Sequence, residues 1–296
     1  MLESLFNFKE IRKRPYLGFL WAFAIISLSV IIAMQVGFKI SVGTVTVNLT
    51  GIFTLAFALI SSSYIMTAII RKEELMEEKA IRAHYNKGFW ERHSKDLLIF
   101  LYFFAGATFA FTVWTMLLPV DTFQIQIPSI CSMRPYLEVC SSPMITGAAT
   151  GIVPNLPAAS AATYAATASA ADLGGRFGEI LVNNLRVMMF SFIFAFVFGA
   201  GAVFILLWNA GILGICIGLM SKSLADIPIN TIRFLPHGIP EIAGYICAGL
   251  AGSLISIAII RKADGNILKS VAWDSAKVLV IGIALVMLGA LIEAYL

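Results

Sequence analysis

The segment Ile239–Ile260 reads "IPEIAGYICAGLAGSLISIAII" and contains a single charged residue, Glu241. This run is longer than the roughly 18 apolar residues that indicate a membrane-spanning helix. Small residues recur in it at every fourth position, namely Gly244, Ala248, Gly252 and Ser256. Apolar side chains gain little by meeting in lipid, so such a ladder is typical of helices whose backbones pack closely. The segment therefore predicts a membrane helix that packs tightly against its neighbours.

The whole chain has the composition of a membrane protein. Of its 296 residues, 59% are hydrophobic and 13% are charged, whereas a soluble domain carries about 25% charged residues. We predict an all-α, polytopic membrane helix bundle of about seven spans: Leu17–Met34, Leu49–Ile70, Leu97–Leu118, Leu185–Trp208, Gly211–Leu224, Ile239–Ile260 and Val278–Leu296. The fifth is shorter than the roughly 20 residues needed to cross, which predicts a thin, tilted or re-entrant helix.

The distribution of Lys and Arg predicts the orientation of these spans. Of the 21 basic residues, four lie in the N-terminal tail, seven in residues 71–96 and four in residues 261–277. Cytoplasmic loops carry the excess of basic residues, so we expect a cytoplasmic N-terminus in the cell membrane, with the C-terminus and residues 119–184 outside. Three regions result: 1–118, including a cytoplasmic helical loop at 71–96; an extracytoplasmic loop, 119–184; and a glycine-rich bundle, 185–296.

The cysteines divide between the predicted outside loop and the spans. Cys131 and Cys140 lie in the loop with eight residues between them. An oxidising exterior favours a disulfide between them, the alternative being two free thiols. Cys216 and Cys247 lie inside predicted spans, where packing roles are expected. The sequence contains no Cys or His spacing typical of a metal site, and we expect neither a metal nor a cofactor.

Small residues also recur in the spans before the quoted segment. They are Ser191, Ala195 and Gly199 in the fourth span, and Ala210, Gly214 and Gly218 in and before the fifth. Together with the ladder in the sixth span, they predict that spans four to six form one compact bundle, with self-association as a further option.

The residues that open the sixth span allow more than one interpretation. In Arg233–Tyr245, "RFLPHGIPEIAGY", Pro240 suits the first turn of a helix and Glu241 suits its positive end, after a turn at His237 and Gly238. Glu241 is, however, an ionisable group in a membrane segment, and such groups usually have a partner or a function.

A partner for Glu241 is available because spans four and six run in the same direction. Arg186 then lies at a similar depth and predicts a structural ion pair, with Arg233 and Lys222 as alternatives. The remaining interpretation is a functional acid in proton, ion or partner chemistry. Glu293, near the outer end of the last span, is a second candidate for that role.

Two longer stretches resemble a known family. "NNLRVMMFSFIFAFVFGAGAVFILLWNAGILG" and "LPHGIPEIAGYICAGLAGSLIS", within about residues 180–260, resemble the stage II sporulation protein M family of integral membrane proteins. The resemblance implies a set of motif residues: Asn184, Arg186, Asn209, Gly211, His237, Gly238 and Glu241. It further implies an assembly role, since members in sporulating bacteria anchor a cell-wall hydrolase machine during engulfment of the forespore.

These observations favour a non-enzymatic membrane scaffold or assembly subunit whose partners are lipids and other membrane or envelope proteins. The alternative is a transporter or channel component that uses Glu241. An intramembrane enzyme is disfavoured because HExxH, GxSxG and paired-acid motifs are missing. The net charge of +4 reflects basic inside loops, so we expect no nucleic-acid partner.

Overall fold

The computed structural model describes residues 13–42, 45–82, 89–133, 137–141, 170–198 and 201–295. Within these residues, the chain forms nine α-helices and one two-stranded antiparallel hairpin. The elements are α1 Leu17–Val36, β1 Lys39–Val42, β2 Val45–Asn48, α2 Thr50–Arg82, α3 Phe89–Leu117, α4 Ile127–Met133, α5 Ala170–Phe198, α6 Ala202–Met220, α7 Asp226–Ile232, α8 Leu235–Ile260 and α9 Gly265–Tyr295.

Seven of these helices are long and apolar enough to cross a membrane: α1, α2, α3, α5, α6, α8 and α9. The prediction of an all-α, multi-pass membrane bundle is confirmed. The remaining helices, α4 and α7, have seven residues each and are too short to cross.

The boundary between the fourth and fifth spans differs from the predicted one. The fourth helix ends at Phe198, and the fifth is a full crossing helix of 19 residues, Ala202–Met220. Hydropathy does not drop between them because the linking residues are themselves small and apolar. The break lies at Gly201, where a β-carbon would collide with the carbonyl oxygen of Phe194. The prediction of a short or re-entrant fifth segment is therefore wrong.

Successive long helices alternate in direction and define two ends of the bundle. We call the end with the β1–β2 hairpin, residues 118–133 and 137–141, and α7 the hairpin end. The opposite end, with the α5–α6 and α8–α9 connections, is the tail end. The predicted outside segment 119–184 includes the start of α5, and its residues 142–169 lie outside the described residues.

The helices pack as two groups. The aromatic region consists of α1, α2, α3 and α6, in which α3 contacts α1 and α6. The glycine region consists of α5, α8 and α9, in which α8 packs against both neighbours. Most of α8 is buried, whereas α5 and α9 are largely exposed to the lipid side. Helix α8 is thus the central element of the glycine region.

Large side chains fill the aromatic region. The rings of Trp21 and Phe103 lie 5.3 Å apart, and Phe103 is fully buried. The glycines of α6 fit against α3: a β-carbon at Gly214 would strike the Thr108 carbonyl oxygen, and one at Gly218 would lie 2.8 Å from Thr115 Cβ. The fifth span therefore packs against the third, and the predicted compact bundle of spans four to six is wrong in this respect.

The hairpin end is closed by a set of polar contacts that we call the hairpin cap. Lys39 and Asp121 form an ion pair with Nζ and Oδ2 2.6 Å apart, and Asn48 N donates to Gln124 Oε1 at 2.9 Å. The Lys39 ammonium group holds the pKa of Asp121 below its ordinary value of 3.8. These contacts fasten the segment after α3 to the hairpin.

The predicted disulfide is confirmed at the same end of the bundle. Cys131 and Cys140 are joined, with their Cα atoms 5.5 Å apart. The bond links the last turn of α4 to the short 3₁₀ helix Glu138–Ser141. It therefore restrains the part of the chain that follows the hairpin cap.

Candidate functional site

Helix α8 begins about one turn earlier than the start predicted from the sequence. It starts at Leu235, so Pro236 occupies the first turn and Pro240 lies inside the helix. His237 and Gly238 belong to the first turn, where Gly238 N donates to Phe234 O at 2.8 Å. No acidic residue lies in the first turn of α8. The interpretation of Glu241 as a residue at the helix start is therefore wrong.

The polar residues of α8 form one stripe along the helix. His237, Glu241 and Tyr245 follow each other at intervals of four residues, a spacing that places them on one face. All three are buried, with 7%, 9% and 3% of their surface exposed. The buried stripe brings an imidazole, a carboxyl and a phenol group together at the hairpin end of α8.

Helix α5 supplies hydrogen-bonding groups to this stripe. Tyr245 Oη donates to Asn184 Oδ1 at 2.9 Å, and Ser191 Oγ donates to the Tyr245 carbonyl oxygen at 2.9 Å. The Asn184 amide also approaches the Glu241 carboxyl group. Neither Asn184 Nδ2 nor Glu241 Oε1 makes a hydrogen bond to another described residue, although both atoms are buried. Both groups thus retain unused hydrogen-bonding capacity.

Helix α9 provides room for the Glu241 side chain. A β-carbon at Gly289 would collide with Glu241 Cγ and would lie 2.9 Å from the His237 carbonyl oxygen. The carboxyl group therefore rests against the α9 backbone. Only a glycine at position 289 lets the two helices approach this closely around the acid.

A second acid lies on the neighbouring helix. Glu293 is one helical turn beyond Gly289 of α9, and Gly289 is in contact with Glu241. Ionisable groups within membrane segments usually have a partner or a function. Among the described residues, no three His, Cys, Asp or Glu side chains are arranged to hold a metal ion.

The predicted pair between Arg186 and Glu241 is wrong. Arg186 is exposed, and so are the alternative partners Arg233 and Lys222. Residues 184 and 186 are two positions apart, which places them about 200° apart around the helix axis. Because Asn184 faces α8, Arg186 points away from it.

The other motif residues considered next lie in α6 or in the first turn of α8. Asn209 lies within α6, and its Nδ2 donates to the Ile205 carbonyl oxygen at 2.7 Å. Gly211, also in α6, packs beside Phe111 of the aromatic region. Gly238 has open space where a side chain would extend. Of the seven motif residues, only Asn184, His237 and Glu241 come together at the site.

The glycine ladder of α8 holds the site together. A β-carbon at Gly244 would lie 2.8 Å from the Gly282 carbonyl oxygen of α9, and one at Gly252 would collide with the Phe192 carbonyl oxygen of α5. Ala248 between them is fully buried. Gly199, the other predicted packing residue, lies outside the described residues.

Two residues of the site were missed from the sequence, Tyr245 and Gly289. Tyr245 follows Glu241 at the same four-residue interval that separates His237 from Glu241. That interval could have identified Tyr245 from the sequence. Gly289 precedes Glu293 by four residues and was visible as a small residue on the face of that acid.

Comparison with known proteins supports the family resemblance. The family model described as stage II sporulation protein M matches residues 98–296, two thirds of the chain. An uncharacterized protein of Methanocaldococcus jannaschii is 29% identical over 124 residues, which cover 40% of this chain and 70% of the relative. No solved structure matches the chain. Since the match includes α3 and every later helix, the chain belongs to the stage II sporulation protein M family.

Proposed function

We propose that this chain is a non-enzymatic scaffold or assembly subunit of a membrane or cell-envelope complex. The observation that carries this proposal is the contact of α8 with α5 and α9 through Gly252 and Gly244. A helix held at backbone contact on two sides has little freedom to move. Such rigidity suits a platform that positions other proteins, and it disfavours the rocking of helix groups that alternating access requires.

The proposed orientation places the hairpin end outside the cytoplasm. The basic residues of the N-terminal segment, of residues 71–96 and of residues 261–277 favour the tail end as the cytoplasmic side. The Cys131–Cys140 disulfide supports the same orientation, because disulfides persist mainly in oxidising compartments. Other envelope proteins would then bind at the hairpin end, and self-association would use the lipid-facing helices.

Site-specific photo-crosslinking in native membranes tests the scaffold role. A photoreactive residue at Ile229 of α7, which is 55% exposed at the hairpin end, should crosslink to another protein. The matched control is Trp273 of α9, which is 66% exposed nearer the tail end. The proposal predicts a discrete protein adduct from position 229 and mainly lipid adducts from position 273. Lipid adducts alone from both positions would contradict it.

One observation favours a second candidate, a proton- or cation-coupled transporter component. Glu241 and Glu293 are on adjacent helices of the glycine region, where Glu241 contacts Gly289, one turn before Glu293, and the described basic residues considered as partners are exposed. Liposomes containing the purified chain would then pass protons or a monovalent cation, and Glu241→Gln would abolish the flux. Glu179→Gln, on an exposed position of α5, is the matched control. Absence of flux in the unmodified protein would leave the scaffold role favoured.

A further inference from the structure

A groove opens on the side of the bundle near the tail end, away from the Glu241 site. It has a volume of about 430 Å³, within the range of small-ligand sites in proteins. One wall is α2, which contributes Leu59, Ser63 and Thr67. These residues follow each other at intervals of four, so they form a single stripe along one helix face.

The opposite wall consists of stacked aromatic rings around the α5–α6 connection. Phe194 and Phe204 stack with their ring centres 5.9 Å apart, and Phe198 lies 5.9 Å from Phe194. Gly201 lies at the base of this wall, where contact with the Phe194 carbonyl oxygen leaves no space for a side chain. The groove is therefore fixed by the same helix connection that separates the fourth and fifth spans.

The position of the groove determines what surrounds it. Thr67 lies three residues before the end of the apolar run of α2, which continues through Ile70, and Phe198 and Gly201 flank the α5–α6 connection. The opening thus faces the acyl chains of the membrane leaflet on the tail side. Its lining is mostly aliphatic and aromatic, a surface as apolar as a lipid tail, and Ser63 and Thr67 are the two hydroxyl-bearing residues in it.

The tail end of the bundle carries basic pairs at the membrane boundary. The tetrapeptide Ile-Ile-Arg-Lys occurs at residues 69–72, two positions after Thr67, and again at residues 259–262, at the end of α8. Basic residues next to a membrane segment attract anionic lipid head groups. Glu73, Glu74, Glu77 and Glu78 follow Arg71 and Lys72, so the basic pair next to the apolar run is the part of this segment that complements a phosphate group.

We propose that this groove is a binding site for an anionic diacyl phospholipid of the tail-side leaflet. One acyl chain lies between the Leu59–Ser63–Thr67 stripe and the Phe194–Phe204 wall, and the phosphate lies at the level of Arg71 and Lys72. This site is separate from the Glu241 cluster and does not depend on the proposed scaffold role.

Photoaffinity labelling of the purified full chain tests the proposal. The protein is reconstituted in vesicles with phosphatidylglycerol that carries a diazirine in one acyl chain, and the labelled peptides are identified by mass spectrometry. Labels should concentrate on the α2 residues 59–67 and on residues 194–204. The same probe chain on phosphatidylcholine should label these peptides roughly tenfold less, as expected for head-group attraction by a basic pair.

Groove-filling variants provide the decisive comparison. Ser63→Trp should reduce labelling of residues 194–204 by phosphatidylglycerol to background. Ile60→Trp, at a 70% exposed position of the same helix, should leave it unchanged. If Ser63→Trp does not yield a monodisperse protein, Thr67→Phe fills the groove one turn nearer the boundary and should give the same loss. Equal labelling of the filled variant and the unmodified protein, or equal labelling by the two lipids, would overturn the proposal.

Discussion

The aromatic and glycine regions both bring helix backbones into contact at glycines, but they differ in what fills the remaining space. In the aromatic region, large rings such as Phe103 and Phe111 fill the space between α1, α3 and α6, and both are fully buried. In the glycine region, helices approach until their backbones touch, as at Gly244 and Gly252. The polar stripe of α8 lies only in the second region. Close backbone contact thus accompanies buried polar groups, because short distances let a side chain on one helix reach a partner on the next.

The two regions should therefore respond differently to substitution. The aromatic region depends on side-chain volume, so removing atoms should damage it. The glycine region depends on the absence of volume, so adding a single methyl group should damage it. The following experiments test this difference, in order of the effect expected.

The largest effect is expected for Phe103→Ala in the aromatic region. The substitution removes a fully buried ring that packs 5.3 Å from Trp21, and such truncations cost about 3–5 kcal/mol of stability. Reversible unfolding of the purified protein in mixed micelles measures the loss. Leu117→Ala, at a 67% exposed position of the same helix, should have little effect. A similar loss for both variants would show that lipid contact, rather than internal packing, determines the result.

A smaller loss of stability is expected for Gly252→Ala, which adds volume instead of removing it. The new β-carbon would collide with the Phe192 carbonyl oxygen and lie 3.0 Å from Phe196 N, an overpacking that costs about 1–3 kcal/mol. Gly238→Ala on the same helix has open space and should be neutral or slightly stabilising, because Ala favours helix over Gly. The same unfolding assay compares the two. Equal stability of the two variants would contradict the backbone contact between α5 and α8.

The hydrogen bond between Tyr245 and Asn184 should contribute less. Interhelical hydrogen bonds in membranes average about 0.6 kcal/mol, so Tyr245→Phe should lower stability by a similar amount. In a double-mutant cycle, Tyr245→Phe and Asn184→Leu should be less than additive, because each removes the same bond. Tyr102→Phe, at a 40% exposed position of α3, is the control. Additive losses would mean that the two side chains do not interact.

The smallest effect is expected at the hairpin cap, where it depends on pH. Because Lys39 lowers the pKa of Asp121, the ionised carboxylate stabilises the docked hairpin above the unfolded value of 3.8. This contribution, about 0.2–1 kcal/mol for an exposed pair, is lost as the pH falls through the lower folded pKa. Hydrogen exchange of residues 39–48, corrected for intrinsic rates, should report the loss below about pH 4.

Two variants check that the acid sensitivity of the hairpin comes from this ion pair. Asp121→Asn and Lys39→Met should each give faster exchange at neutral pH, and neither should show the further change on acidification. Persistence of the full acid response in Asp121→Asn would assign it to another group.

Much of the fold was predictable from hydropathy, and the errors have definite physical causes. The seven spans follow from the lengths of apolar runs, since the lipid core imposes a minimum helix length. The boundary between Phe198 and Ala202 was missed because the sequence stays small and apolar through it, so hydropathy does not mark the break. Asn209 lies between the predicted fourth and fifth spans, yet its amide donates to the Ile205 carbonyl oxygen inside α6.

The candidate site was predictable only in part. His237, Glu241 and Asn184 were identified through their motif, but His237 was predicted to lie in a turn before the helix, whereas α8 begins at Leu235. The choice between Asn184 and Arg186 as the residue facing Glu241 depends on the rotation of α5 about its axis. That rotation is set by contacts such as Ser191 with Tyr245, which a single sequence does not reveal.

The connection at Gly201 has a consequence for how the protein is made. It joins α5 of the glycine region to α6 of the aromatic region, and α3, the partner of α6, has been synthesised by then. Helices α8 and α9 emerge from the ribosome later, so the aromatic region can assemble first. Until they arrive, Asn184 of α5 lacks its donor, the Tyr245 hydroxyl group, and Ser191 lacks its acceptor, the Tyr245 carbonyl oxygen. Synthesis of α8 therefore completes the hydrogen bonding of α5.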